Sequence, residues 1–517
     1  MIKLILYLLY SSLDQKKMKF FCLKILIILF SIFYSNNLYA SIDQNINDFL
    51  TPIASFISGV VFYSLPIGNV NVELIVIWLI AGGLFSTFYF KFINFTGFKQ
   101  ALKLVSGKFA NKESKGEVSH FRALATALSG TVGLGNIGGV AVAISLGGPG
   151  ATFWMILSGL IGMSLKFCEC TLGVKYRNIN PDGTVSGGPM YYLSKGLEEK
   201  GLALFGNILA YMFAIFCIFA SLGGGNMFQV NQSLDLLIFV TGGSGSFLDL
   251  HSWVYGLIIA LLVGLVIIGG IKRIGSVTSK LVPSMAAIYL ISALIIILSN
   301  YDQIPSAISS IFIGAFSPEG VTGGFIGVLI LGFRRAVFSN EAGIGSAPIA
   351  HSAVKTDNPT TEGLVSLLEP FVDTVIICTL TALVIITSGV YTTGQEIEGA
   401  RMTSQAFGTV LPTFPYLLAL VATLFAFSTM ISWSYYGVKA VTFIFGESKN
   451  IETLYKVIFC LFAIVGSSLD LVKVIDLSDS ALFLMAIPNL IGVYILANIV
   501  KKESSNYFSK LKNSETI

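Results

Sequence analysis

Two stretches place glycine and small polar residues inside otherwise apolar segments, where they could hold a carboxylate and a cation side by side. The first runs Ser129-Gly-Thr-Val-Gly-Leu-Gly-Asn-Ile-Gly-Gly139, the second Phe338-Ser-Asn-Glu-Ala-Gly-Ile-Gly-Ser-Ala-Pro348. In the first, Gly130, Gly133, Gly135, Gly138 and Gly139 let a helix unwind and let its backbone approach a ligand closely. At such a break the free N–H groups of one half-helix carry partial positive charge and the free carbonyls of the other partial negative charge. Asn136 adds a neutral carbonyl oxygen suited to a hard cation and an amide donor suited to an organic ligand. Close helix packing through small residues is the competing reading. It accounts for Gly138 and Gly139, but an Asn in hydrocarbon without a partner is costly.

Three further clusters could serve such a site. Gly-Gly-Gly-Asn226-Met-Phe-Gln229-Val-Asn231-Gln232 closes an apolar segment, and Gln229 offers both a donor and an acceptor. The same amides also fit a solvated helix end. Thr429 and Trp433 share a helical face, a hydroxyl to anchor a small amphiphile and an indole to limit its size. Their alternative is a hydroxyl bonded to its own helix beside an interfacial Trp. Glu169, Glu341, Glu369 and Asp373 are acidic residues within apolar segments, where an unpaired charge is expensive. Structural ion pairs with Lys166, Arg334 and Arg335 are favoured over direct sodium ligation.

Other chemistries lack their signatures. The chain has no GxxxxGK[ST] phosphate loop, no HExxH and no GxSxG. Its six cysteines form no CxxC, and His120, His251 and His351 fall in separate loops or loop edges, which argues against a shared metal site.

The elements that must position these residues follow from composition. Of 517 residues, 54% are hydrophobic and 12% charged, about half the usual charged fraction of a soluble domain. Mean hydropathy is +0.80. These values describe an all-α polytopic membrane protein in a lipid bilayer. The net charge of +4 is too mild to indicate a nucleic-acid partner. Apolar segments near 72–91, 121–146, 150–174, 203–230, 252–270, 274–299, 321–350, 363–389, 415–445, 453–470 and 476–499 predict about eleven spans.

Lys and Arg crowd 91–122, 175–202, 271–280 and the tail from 500, but are missing from 41–71, 231–251 and 300–320. By the positive-inside rule the chain starts outside and ends in the cytoplasm of a bacterial-type inner membrane. Without the first span the rest divides five plus five, in opposite orientations, each half opening with an interrupted helix; such pairs mark the binding site of secondary transporters. The predicted organisation is an external segment, first helix and cytoplasmic loop over 41–120, repeats over 121–300 and 301–500, and a cytoplasmic tail over 501–517. From Met18, a basic start, an apolar run and Leu-Tyr-Ala40 read as a cleavable signal within residues 1–40.

These motifs also resemble a known family. Ser129 to Pro149, Phe153-Trp-Met, Lys166 to Arg177, Gly187-Gly-Pro-Met-Tyr-Tyr192, Phe338 to Pro348 and Glu369-Pro-Phe-Val-Asp373 are similar to the alanine or glycine:cation symporters across roughly 70–500. The resemblance implies a leucine-transporter-type inverted repeat preceded by one extra helix, and sodium-coupled import of alanine, glycine or a related small neutral amino acid. It implies no enzyme activity, no cofactor beyond the coupling ion and no obligate protein partner. Thr131, Gly133, Gly135 and Asn136 would hold the substrate's charged groups, Gln229, Thr429 and Trp433 would line the pocket, and Asn340 and Gly343 would belong to the opposing break. Sodium would sit near Gly130 and Asn136, with a hydroxyl from Thr423 or Ser428. Proton coupling, a different amino-acid specificity and a channel are the alternatives.

Overall fold

The computed structural model describes residues 52, 55–67, 70–108, 113–317, 324–392, 399–469 and 471–514. The expected signal segment and its cleavage point lie outside the described residues. Two antiparallel hairpins are the only paired strands described: Ser64–Ile67 (β1) with Val70–Glu73 (β2), and Asn178–Ile179 (β3) with Val185–Ser186 (β4). Ser64 faces Glu73 across the first hairpin.

Helix α1 (Leu74–Tyr89) precedes a broken pair, α2 (His120–Thr131) and α3 (Val140–Gly147), bent by 52° through the π-helical turn Gly135–Gly139. Next come α4 (Ala151–Lys175), α5 (Ala203–Leu222), α6 (Phe228–Val240), α7 (Ser252–Ile267) and α8 (Gly270–Ser299). A second π-helical turn, Gly223–Met227, joins α5 to α6. After α9 (Ile304–Phe316) comes the second break, between α10 (Gly324–Asn340) and α11 (Ala347–His351). Helices α12 (Pro359–Ser366) and α13 (Thr379–Ser388) flank a π-helical stretch, Phe371–Cys378. Helices α14 (Ala400–Gly408), α15 (Phe414–Phe445), α16 (Lys449–Ser467) and α17 (Leu471–Ser514) complete the chain.

Among the described residues, seven helical stretches are long and apolar enough to cross a bilayer, and the bent pair makes an eighth. Hydropathy predicts about eleven. The difference is one of length. Helices α1 and α7 have 16 residues each, a rise of about 24 Å against about 30 Å of hydrocarbon. The predicted 321–350 span is cut after Asn340, where Glu341 takes a φ of 57°, a left-handed conformation rare outside glycine. Helix α17 continues through 501–514. Lys175 holds Glu503 there at 2.6 Å, and Gln100 donates to the Tyr507 hydroxyl at 2.8 Å.

Helix α4 packs against α1, α10 and α12, while α15 packs against α5, α6, α8 and α2. The two form the inner scaffold on which both breaks rest. Outward, Leu204, Phe219, Ile291, Leu298 and Phe312 remain exposed, an apolar surface suited to lipid rather than water.

Buried charges pair differently from the expectation. Arg334 reaches Glu73 at 2.7 Å and Asp479 at 3.0 Å, and Arg335 reaches Asp479 at 2.9 Å. Neither arginine pairs with Glu369 or Asp373, because both project from α10 toward α17 and the first hairpin. Arg334 also lies 3.8 Å above the Phe62 ring. Lys166 pairs with Glu369 at 3.0 Å, while its sequence neighbour Glu169 accepts from Asn489 at 2.5 Å. Asp479→Ala should therefore leave the buried Arg335 without its carboxylate and Arg334 with Glu73 alone, destabilising the chain by about 3 kcal/mol or more, read as a lower unfolding midpoint in detergent. Arg401→Ala, which breaks a partly exposed pair with Asp235, should cost less than about 1 kcal/mol.

Candidate functional site

The two breaks meet around a small cavity. Gly130, Thr131 and Gly135 line it from the first break, Phe338 and Glu341 from the second, with Gln229, Gly224, Trp433 and Leu482 closing it. Its free volume is about 10 Å³, room for about one water. The site is compact in this conformation.

Each wall has a physical support. Gln229 Oε1 accepts from the Leu134 N–H at 3.1 Å, and its Nε2 donates to the Gly224 carbonyl at 3.0 Å. The side chain thus satisfies one opened peptide group beside the Gly135–Gly139 turn and one within Gly223–Met227. Trp433 Nε1 donates to Glu341 Oε1 at 3.0 Å, and the Ser346 hydroxyl donates to the other oxygen of Glu341. A Cβ on Gly225 would collide with the Trp433 indole, so glycine there lets the ring seat. The Thr429 hydroxyl is fully buried with no hydrogen-bond partner. A Cβ on Gly133 would lie 2.7 Å from that hydroxyl and 3.0 Å from Gln229 Oε1. A free hydroxyl and an amide therefore converge on the backbone of the first break. An orphaned buried hydroxyl costs about 1–3 kcal/mol, which a ligand could recover.

Behind the cavity lies a second polar cluster. Asn136 Nδ2 donates to Asp373 Oδ1 at 2.6 Å, while its Oδ1 accepts from the Gly133 N–H at 2.8 Å. The Ser339 and Thr374 hydroxyls donate to Asp373 Oδ2 at 2.8 and 2.7 Å. All four residues are essentially fully buried. Among the described residues no Lys, Arg or His forms an ion pair with Asp373. A buried carboxylate ringed by neutral oxygens has the donor set of a site for a hard monovalent cation: turning the hydroxyls and amide presents lone pairs in place of protons.

The predicted residues divide accordingly. Gly130, Thr131, Gly133, Gly135, Gln229, Thr429 and Trp433 come together at the cavity. Asn136 stands behind it on Asp373. Asn340 is spent on local structure, donating to Thr374 at 2.9 Å and accepting from the Ala342 N–H at 2.9 Å. Gly343 faces away, with Leu79 and Leu165 where its side chain would be. Thr423 and Ser428 bond back to Ala419 and Phe425 of their own helix, each at 2.9 Å, so their hydroxyls do not meet Asn136. Asn226 and Asn231 donate to the carbonyls of Phe459 and Leu469. Glu341, expected as an ion-pair partner, lines the cavity, as do Phe338 and Gly224. For Gly224 the sequence signal was the Gly223-Gly-Gly225 run.

A larger open cavity of about 530 Å³ lies further along α15, lined by Ser434, Tyr435, Val438 and Lys439 together with Lys272 and Glu447. It begins one residue past Trp433 and lies on the side of the basic first turns of α8.

The sodium:alanine symporter family description matches residues 62–517. The chain is 40% identical over 438 residues to the sodium/alanine symporter AgcS of Methanococcus maripaludis, covering 84% of this chain and 94% of that protein. It is 34% identical over 439 residues to the amino-acid carrier protein AlsT of Bacillus subtilis, covering 84% and 89%. The fold is similar to the crystal structure of MhsT in complex with L-phenylalanine, with a TM-score of 0.50 at 16% identity, covering 72% of this chain and 87% of that one. The chain therefore belongs to the sodium:alanine symporter family, multi-pass membrane transporters, not enzymes, that couple a cation to the movement of a small neutral amino acid.

Proposed function

We propose that this chain imports alanine or glycine with sodium by alternating access, taking the amino acid between the two breaks and the sodium ion at Asp373. The observation that carries this reading is the meeting of both breaks on one buried carboxylate, beside a cavity lined by Gly130, Thr131, Gln229 and Trp433, with Gly133 and Thr429 packed against Gln229. Sodium among Asp373, Asn136, Ser339 and Thr374 would draw those oxygens inward and free the Gly133 N–H, which Asn136 now occupies. The amide freed at Gly133 and the orphaned Thr429 hydroxyl then suit the substrate carboxylate, and Glu341 suits its ammonium group. Each ligand prepares the site for the other, and that coupling is reciprocal.

The cavity must widen to admit even glycine, and the buried Trp433 indole is the wall that would then limit side-chain size. The wide cavity beyond Trp433 is the proposed exit, on the cytoplasmic side set by the basic loops. The proposed organisation is two inverted halves, over 121–300 and 301–500, with the amino end outside and the carboxyl end in the cytoplasm.

Purified chain in sealed vesicles should accumulate alanine only under an inward sodium gradient. Gradient-independent equilibration would instead favour a channel. Thr429→Val keeps the shape and removes the hydroxyl, and should raise the alanine concentration for half-maximal uptake about ten-fold, the effect of about 1.4 kcal/mol. Asp373→Asn should raise the half-maximal sodium concentration by more than about ten-fold, since it removes the charge from the cation's ligands. An unchanged sodium requirement in well-folded Asp373→Asn protein would move the cation elsewhere.

A further inference from the structure

A second buried cluster plays no part in the site described above. His120, the first residue of α2, directs Nδ1 at Glu362 Oε2. The other oxygen of Glu362 meets His351 Nδ1 at 2.5 Å. His351 Nε2 in turn meets Glu369 Oε1, and Glu369 Oε2 lies 3.0 Å from Lys166 Nζ. Glu362, His351, Glu369 and Lys166 have no exposed surface, while His120 retains 7%. The result is an unbroken line of titratable groups from the edge of the membrane domain into its core.

Both ring nitrogens of His351 face carboxylate oxygens. A neutral imidazole has one N–H and one lone pair, so one of these contacts would set lone pair against lone pair. The line is therefore complete only with an added proton, on His351 or on one of its carboxylates. A metal held by Cys170, His351 and Glu369, whose ligand atoms lie within 4.8 Å of one another, would have to part the direct His351 Nε2–Glu369 Oε1 contact and displace the Lys166 ammonium that already neutralises Glu369.

We propose that the His120–Glu362–His351–Glu369 line is a proton-binding site, filled through His120 from the face that carries the basic loops, and that its proton holds α11 in place. One proton enters from water and one positive charge is gained; no other reactant is required. Helix α11 is the far half of the second break, so loosening it moves Glu341 and Ser346 at the cavity. Cytoplasmic pH would then set the rate of transport without the proton acting as the coupling ion.

The surroundings are consistent with a localised proton. From α4, Lys166, Glu169 and Cys170 face the inner end. From α15, Tyr436 faces Glu369, and Arg177 and Asp357 flank the Glu362 end. Arg177 is already committed to the carbonyls of Ser352, Val354 and Thr356, which fixes the loop after α11 without neutralising Glu362.

The test rests on the proposed sodium-driven uptake and on the proposed orientation, so it includes a readout that needs neither. In vesicles with a saturating sodium gradient and fixed external pH, raising internal pH from about 6.5 to about 9.5 should slow wild-type alanine uptake about three-fold or more, because flanking carboxylates hold the proton on the line past the ordinary imidazole range. His120→Gln and His351→Gln should flatten that response. In detergent, without transport, the wild-type unfolding midpoint should fall as pH rises over the same range, and His120→Gln should blunt the fall. If His351→Gln does not fold, His120→Gln decides. A flat wild-type midpoint, or a His120→Gln profile identical to wild type, overturns the proposal. A response to external pH alone that is lost in His120→Gln keeps the site and overturns the orientation. Absence of sodium-driven uptake alongside a pH-dependent midpoint overturns only the transport reading.

Discussion

In hydrocarbon no water is available to satisfy an opened peptide group, so a helix that breaks in a membrane must find its partners within the protein. Both breaks here find them at Asp373. Asn136 donates to that carboxylate while accepting from Gly133, and Ser339 donates to it from α10. The break that could bind a ligand is thus held open by the group proposed to bind the cation. Asp373 lies in the π-helical Phe371–Cys378 stretch, where a widened turn brings it between the two broken helices. π-helical turns also shape the first break and the α5–α6 junction. Such turns often mark functional segments of helices.

The small cavity follows from the same constraint. Gln229 satisfies opened peptide groups with both ends of its amide, and Trp433 spends its indole N–H on Glu341. These bonds draw the walls together, leaving Thr429 as the unsatisfied group. A site of this kind is poised: its polar groups have partners, but several are ones that a ligand could replace. The buried pairs of Arg334 and Arg335 with Asp479 hold α10 to α17, and the pair of Arg334 with Glu73 holds it to the first hairpin.

Much of this was legible in the sequence. Glycine-rich polar runs in apolar segments located both breaks, because Asn136 and Glu341 at that depth need partners that an unbroken helix in lipid does not supply. Helical spacing placed Thr429 and Trp433 on one face, and the structure has both at the cavity. Partner choice was not legible. Lys166 pairs with Glu369 across helices rather than with nearby Glu169, and the arginines of α10 reach a hairpin and α17 rather than Asp373. His120 and His351, far apart in sequence, share Glu362. Charge pairing depends on which helix faces cross, and local periodicity carries no information about that.

The chain's composition and periodicity by themselves determined the solvent, the helical class and the positions where helices fail, since each follows from local transfer and backbone energies. Tertiary structure decided which oxygens surround Asp373, that Thr429 lacks a partner, that Gly343 faces away, and that α1 and α7 are too short for a full crossing by length alone. Several of these depend on contacts far apart in sequence, such as Asn136 with Asp373 and Gly343 with Leu79. Directional bonds of that kind are chosen only when the helices pack, because each donor in the unfolded chain has many acceptors within reach.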